Sequence, residues 1–287
     1  MNENKRFFRN AGLFSLWLLP VTYLAIISAV IAHEIIGHGL IAALLGSQFR
    51  GFGILIDGKG WTSLDLSGLS PFQLATVYMG GAFITNLLCL VFVLLGIRFG
   101  KKYLTSTLFF VLAFVFLSDG NPYFFWDSIY RGGVGDPSAI LKLYPNEWLR
   151  GVFIVSSGVL MLTGILIFNF RMLTRTYARF KSKGAVRIKE IAVIATILLT
   201  VQALVWLSFD WKRVIPVKWI SRLAPVSVIM LTMIILGVVA FRIVKRKKIE
   251  QESGEVSFMP SVIIVWSACI ALVFVLLIWF QNGVKLV

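Results

Sequence analysis

The sequence predicts an all-α polytopic membrane protein, with about seven transmembrane helices and a short β-hairpin after the first. Three observations carry that prediction. Hydrophobic residues fill 58% of the 287 positions, above the roughly 45–50% of soluble domains, and mean hydropathy is +0.87. The apolar residues fall into runs close to the ~20 residues that a helix needs to cross a bilayer. The basic residues behind the net charge of +15 gather in short loops between those runs, the pattern that sets membrane orientation. The lipid bilayer is therefore the expected partner of most of this surface. Nucleic acid is not expected, because no basic stretch is interleaved with aromatics as a single-strand cradle would be. Cys89 and Cys269 both lie in apolar spans and read as small packing residues, not as a disulfide or zinc pair.

Taken in order, the first apolar run is long, about 13–45, and includes Pro20. Lys5, Arg6 and Arg9 precede it. The run exceeds a signal-peptide core, so it reads as an anchor kept in the mature protein. Two β-like stretches follow, Phe49 to Ile56 and Trp61 to Leu66, and Asp57-Gly58-Lys59-Gly60 between them is a hairpin signal. A hairpin edge of this kind can pair with an extended peptide; a plain surface hairpin has the same signature. The second span is expected over about 71–97, and the third over about 104–117 with an extension at 123–126. The last four are expected over about 148–170, 191–209, 224–241 and 258–280. The chain divides into a core at 1–147 and a four-helix extension of unassigned role at 148–287.

Alternating the loops places most of the 28 Lys and Arg residues on one side. That side holds the N-terminal cluster, then Arg98, Lys101 and Lys102, then the group from Arg171 to Lys189, then the group from Arg242 to Lys248. The bias predicts a cytoplasmic N-terminus, in the plasma membrane of a prokaryote. Trp61, Trp126, Trp148, Trp211 and Trp219 would ring the outer interface.

The chemistry is concentrated in the first span. The only two histidines are His33 and His38, and Glu34 between them is the one acidic residue deep inside a long apolar run. Ionisable groups in a membrane are costly and mark function. Two imidazoles and a carboxylate suggest Zn2+ with a water to activate. A zinc hydrolase needs three protein ligands, one open position, and a carboxylate that takes the water's proton without binding the metal. In an α-helix an interval of five residues turns the two histidines about 140° apart, at about 100° per residue. A π-type turn across Glu34 to His38 brings them back to one face, and Gly37 eases it. Two histidines bonded to neighbouring helices, without metal, are the simpler alternative.

The segment His33-Glu34-Ile35-Ile36-Gly37-His38, continuing to Gly46, resembles the zinc-binding helix of the site-2 protease family of intramembrane metalloproteases. The likeness is to the branch with a glycine-rich hairpin after that helix, matched by Arg50 to Asp65. It covers about residues 13–145 and departs from the family by one inserted residue in the motif. Gly80-Gly81 and Asn86 resemble the family's glycine-asparagine helix near the active site, which implies substrate-binding roles for Gly81 and Asn86. A helix–helix hydrogen bond is the structural alternative for Asn86. The family's third ligand is an aspartate after an Asn-Pro-like helix break. Asn121-Pro122, followed by Asp127, is similar, so Asp127 is the implied third ligand, with Asp119 and Asp136 as rivals. Asp136 lies in Gly135-Asp136-Pro137, which reads as a turn or helix start.

The resemblance implies a zinc metalloendopeptidase with His33, His38 and Asp127 as metal ligands and Glu34 as general base. Its substrate would be a membrane-embedded peptide or single-span protein. Two alternatives fit the same residues: a non-proteolytic metal-binding regulator or chaperone, and a transporter using Glu34 as a proton relay. The sequence does not fix the oligomeric state.

Overall fold

The computed structural model describes residues 3–131, 135–180, 187–208, 218–246, 258–277 and 284–285. Helix α1 (Glu3–Ile31) runs without interruption into a π-helix (Ala32–Leu40) and a short α2 (Ile41–Leu44). Together they form one apolar rod over Asn4–Leu44. Gly46, at φ +85°, ends it. The amides of Gly46 and Ser47 turn back onto the carbonyls of Ala43 and Ala42, a left-handed helix stop that glycine adopts without strain.

Strands β1 (Gln48–Ile54) and β2 (Gly60–Asp65) pair antiparallel from Gln48↔Asp65 to Ile54↔Gly60, with a bulge between Phe49 and Gly51. A two-residue β3 (Val284–Lys285) pairs with the other edge of β1 at Gly51 and Phe52, giving the order β2-β1-β3. The chain's own C-terminal segment thus takes one of the two hairpin edges. The Tyr23 hydroxyl donates to the Ile56 carbonyl at 3.0 Å and ties the turn to α1.

Helix α3 (Pro71–Arg98) opens with a capping box between Ser70 and Gln73 and with Pro71 in its first turn. Helix α4 (Tyr103–Tyr130) differs from its expected form. It passes through Asn121-Pro122 unbroken, so the short third span and its extension are one helix. Pro122 removes the N–H that would bond the Ser118 carbonyl. Neighbouring helices can compensate such a loss inside a membrane bundle. The continuity also puts Asp119 and Asp127 inside a membrane-length helix, so Glu34 is not alone there.

Helices α5 (Asp136–Leu143), α6 (Glu147–Phe180), α7 (Ile188–Ser208), α8 (Lys218–Arg246) and α9 (Met259–Val275) complete the described elements. Among the described residues, five helices are long and apolar enough to cross a membrane, and shorter apolar stretches cover Ser227–Ile243 and Met259–Val275. The expected span ends at Phe209 and Phe280, Trp211, and the basic residues Lys181, Lys183, Lys247 and Lys248 lie outside the described residues.

Helix α4 is the centre of the bundle. Of its apolar window 67% is buried, against 28% for α3 and 22% for α6. The core draws Phe14 and Trp17 from α1, Phe114 from α4, Phe168 from α6, Trp206 from α7 and Val262 from α9. It therefore runs continuously across residue 147. Asn169 on α6 and Gln202 on α7 are fully buried in it. They exchange two amide hydrogen bonds, at 3.2 and 2.7 Å. Asn169→Ala leaves Gln202 half-satisfied and is expected to cost about 1–2 kcal/mol. Thermal melting in detergent checks this, with an Asn169→Leu, Gln202→Leu double variant recovering most of the loss.

Candidate metal centre

The π-helix puts His33 and His38 on one face. Their ring centroids lie 4.8 Å apart at 72°, and only 6% and 7% of the two residues is exposed. The wider turn runs from Ala32 to Leu40 and spans the whole motif. Its close neighbour is α3. A Cβ at Gly37 would run into the backbone of Gly80 and Gly81, and a Cβ at Gly81 would occupy the place of the His33 imidazole. Three glycines thus let two backbones touch and leave the room in which the His33 ring sits. That is what Gly81 does in this structure.

Each imidazole is held from behind. His38 Nδ1 is 2.8 Å from the Val77 carbonyl on α3. A carbonyl only accepts, so Nδ1 carries a proton, and when the ring is neutral its lone pair is on Nε2, on the other side. His33 Nδ1 lies 2.7 Å from Asp119 Oδ2 on α4. The two Nε2 atoms then meet one oxygen: Asp136 Oδ2 is 3.4 Å from that of His33 and 3.2 Å from that of His38. Ligands bound at 2.0–2.1 Å around a tetrahedral zinc are separated by about 3.3 Å. The three donor atoms all lie within 4.8 Å of one another, so the donor set fits such an ion.

Asp136 opens α5, directly after its N-cap Gly135. Burial pushes its carboxyl up, and the facing imidazoles more than offset this, holding it well below the usual carboxylate range. Asp127 stands behind it. Fully buried on α4, it accepts the Ser138 amide at Oδ2, 3.0 Å away. Gly135 has no side chain with which to cap α5, and Asp127 supplies that carboxylate from another helix. It is not among the residues that line the cavity, whereas both of its rivals, Asp119 and Asp136, are.

Glu34 is fixed by the hairpin. The Thr62 hydroxyl on β2 lies 2.7 Å from Glu34 Oε2 and 2.9 Å from its backbone carbonyl. Having one proton, it donates to one of these acceptors at a time. Gly60 keeps the strand close, since a Cβ there would press on the Glu34 side chain, 2.9 Å from Cγ. His33, Glu34, His38, Thr62, Asp119 and Asp136 line one cavity of about 330 Å³. Among the described residues, three carboxylates on its wall stand with one lysine, Lys59, which also pairs with Asp57. Such an excess of negative charge in an apolar bundle favours a divalent cation or protonated imidazoles at the site.

Asn86 is engaged elsewhere. Its side-chain oxygen accepts from Asn121 Nδ2 at 2.8 Å, a bond that joins α3 to α4, and it does not line the cavity. Two contributors have no signature in the sequence, Thr62 and the contact of Asp119 with His33. The alternation of side chains along β2 marks one face for the π-helix, but which face depends on hairpin register. Comparison with protein-family models, curated proteins and solved structures finds no match for the chain.

Proposed function

We propose that this chain is an intramembrane zinc endopeptidase whose site resembles that of the site-2 proteases. The observation that carries the reading is the meeting of two imidazole Nε2 atoms and one Asp136 oxygen at 3.2–3.4 Å in a cavity that Glu34 also lines. His33, His38 and Asp136 would hold the metal, with Asp136 in the role that the resemblance gave to Asp127. Zinc bound there would supply a Lewis acid that makes water more acidic and stabilises developing oxyanion charge. Glu34 takes the proton of the attacking water and passes it to the leaving amine. Thr62 keeps that carboxylate from swinging away.

A helix ties each backbone carbonyl into its own hydrogen bonds, so a membrane-spanning peptide would offer a scissile carbonyl to the site only where its helix is unwound. Extending the reading to the two shorter apolar helices gives seven crossings with a cytoplasmic N-terminus, in the plasma membrane of a prokaryote.

Purified protein is expected to carry stoichiometric zinc by elemental analysis. Glu34→Gln should keep the metal while cleavage of reconstituted single-span proteins, read as new termini by mass spectrometry, falls to background. Absence of zinc in protein purified without chelator, or wild-type cleavage by Glu34→Gln, sinks the proposal. A second reading has its own support: 2.7 and 3.2 Å are also ion-pair distances for protonated imidazoles. On that reading the cluster is a proton relay, active with chelator present and lost in Glu34→Gln. A zinc-loaded protein without cleavage of any tested substrate would instead favour a non-proteolytic regulator.

A further inference from the structure

Asp119 has no place in the ligand set above, yet it is one of three carboxylates on the cavity wall. It sits mid-helix in α4, where an ionised side chain needs a partner. Its Oδ2 lies 2.7 Å from His33 Nδ1. The contact is not aligned as a regular hydrogen bond, and among the described residues neither atom has another hydrogen-bond partner. Each is therefore the other's polar neighbour, on the side of the ring opposite Asp136.

We infer that Asp119 is an outer-sphere positioning residue for the metal: it orients His33 through Nδ1 and does not itself bind the ion. This rests on the zinc reading above. Three arguments support it. A single imidazole cannot give Nδ1 and Nε2 to one ion, and His33 Nε2 already faces Asp136. A carboxylate at Nδ1 fixes that nitrogen as the donor, aims the Nε2 lone pair and makes it a stronger base, a common arrangement behind metal-bound histidines. Asp119 also adds a second negative charge beside that of Asp136, which favours a divalent ion in an apolar bundle.

The two histidines are thus held differently. His38 is anchored by a neutral backbone carbonyl of α3, which no side-chain substitution removes. His33 depends on a side chain of α4, the central helix. Metal affinity is therefore coupled to the seating of α4 against the π-helix, and Asp119 is the residue through which that coupling runs.

The test uses the full chain in detergent and zinc alone as the probe, in competition with a chromophoric chelator. Asp119→Ala should weaken zinc binding about 10–100-fold, and Asp119→Asn less, because its amide keeps an oxygen beside Nδ1. Co2+-loaded Asp119→Asn should keep the wild-type d–d spectrum, since the donor atoms are unchanged. Ser128→Ala, buried on the same helix, should bind zinc as wild type does and serves as the control for α4 packing. If Asp119→Ala and Asp119→Asn both bind zinc within twofold of wild type, while His38→Ala does not, the inference fails and the zinc site stands. If Asp119→Asn loses zinc as fully as His38→Ala, or its Co2+ spectrum changes class, Asp119 is a ligand and the inference is overturned. A wild-type protein that takes up no zinc defeats the underlying reading instead.

Discussion

Asp136→Asn is expected to weaken zinc binding about 100–1000-fold, and Asp127→Asn by no more than about tenfold. Structural zinc sites release about 10–16 kcal/mol on binding, so each of some four ligands accounts for about 2.5–4 kcal/mol, a factor of about 10²–10³. Asparagine at 136 removes the anionic oxygen on which His33 and His38 converge at 3.4 and 3.2 Å. Asparagine at 127 keeps an oxygen for the Ser138 amide, 3.0 Å from the native carboxylate. It loses only the charge at the start of α5, an interaction of about 0.3–1 kcal/mol. Chelator competition on the two purified variants measures both. The opposite ranking would return the third ligand to Asp127 and remove Asp136 from the site.

The contrast between these two aspartates marks where sequence reasoning stops. The histidine spacing is local information. Five residues do not fit one face of an α-helix, so a shared ligand demanded a wider turn, and a π-helix runs from Ala32 to Leu40. The apolar runs are local as well, and five of them form helices of membrane-crossing length. The third carboxylate is not local. Asp119, Asp127 and Asp136 lie within 17 residues of each other, and their roles follow from the path of α4 and the return of the chain into α5. Asn121-Pro122 suggested a break before Asp127. In the buried centre of the bundle the helix continues instead, because packing on several sides outweighs one missing backbone bond. That continuity turns Asp119 toward His33 and leaves Asp127 to cap α5. Thr62 was hidden for a similar reason. Its contact with Glu34 depends on β2 register, which the pattern of Gly51, Gly53 and Gly60 does not specify.

Gly81→Ala is expected to weaken zinc binding about 10–100-fold, and Gly37→Ala to lower both zinc affinity and thermal stability. The two substitutions differ in what they strike. A Cβ at Gly81 falls on the His33 ring, whereas a Cβ at Gly37 falls on the backbone of Gly80 and Gly81. An imidazole can rotate out of the way, which leaves the bundle standing and the ligand misdirected. Backbone cannot, so α3 must move away from the π-helix, taking with it the Val77 carbonyl that orients His38. Overpacking of this kind costs about 1–3 kcal/mol, and the upper figure borne wholly by the metal pocket is a factor of about 100 in affinity. Gly151→Ala is the reference, because nothing lies within 4 Å of a Cβ there, and alanine favours a helix interior over glycine by up to about 1 kcal/mol. Melting curves and chelator competition on the three variants separate the cases. Gly151→Ala should match or exceed wild type in both, Gly81→Ala should fail mainly in metal binding, and Gly37→Ala should fail in both. Equal zinc affinity in Gly81→Ala and wild type would mean that the His33 ring does not need the space above Gly81, and the backbone contact would then be packing alone.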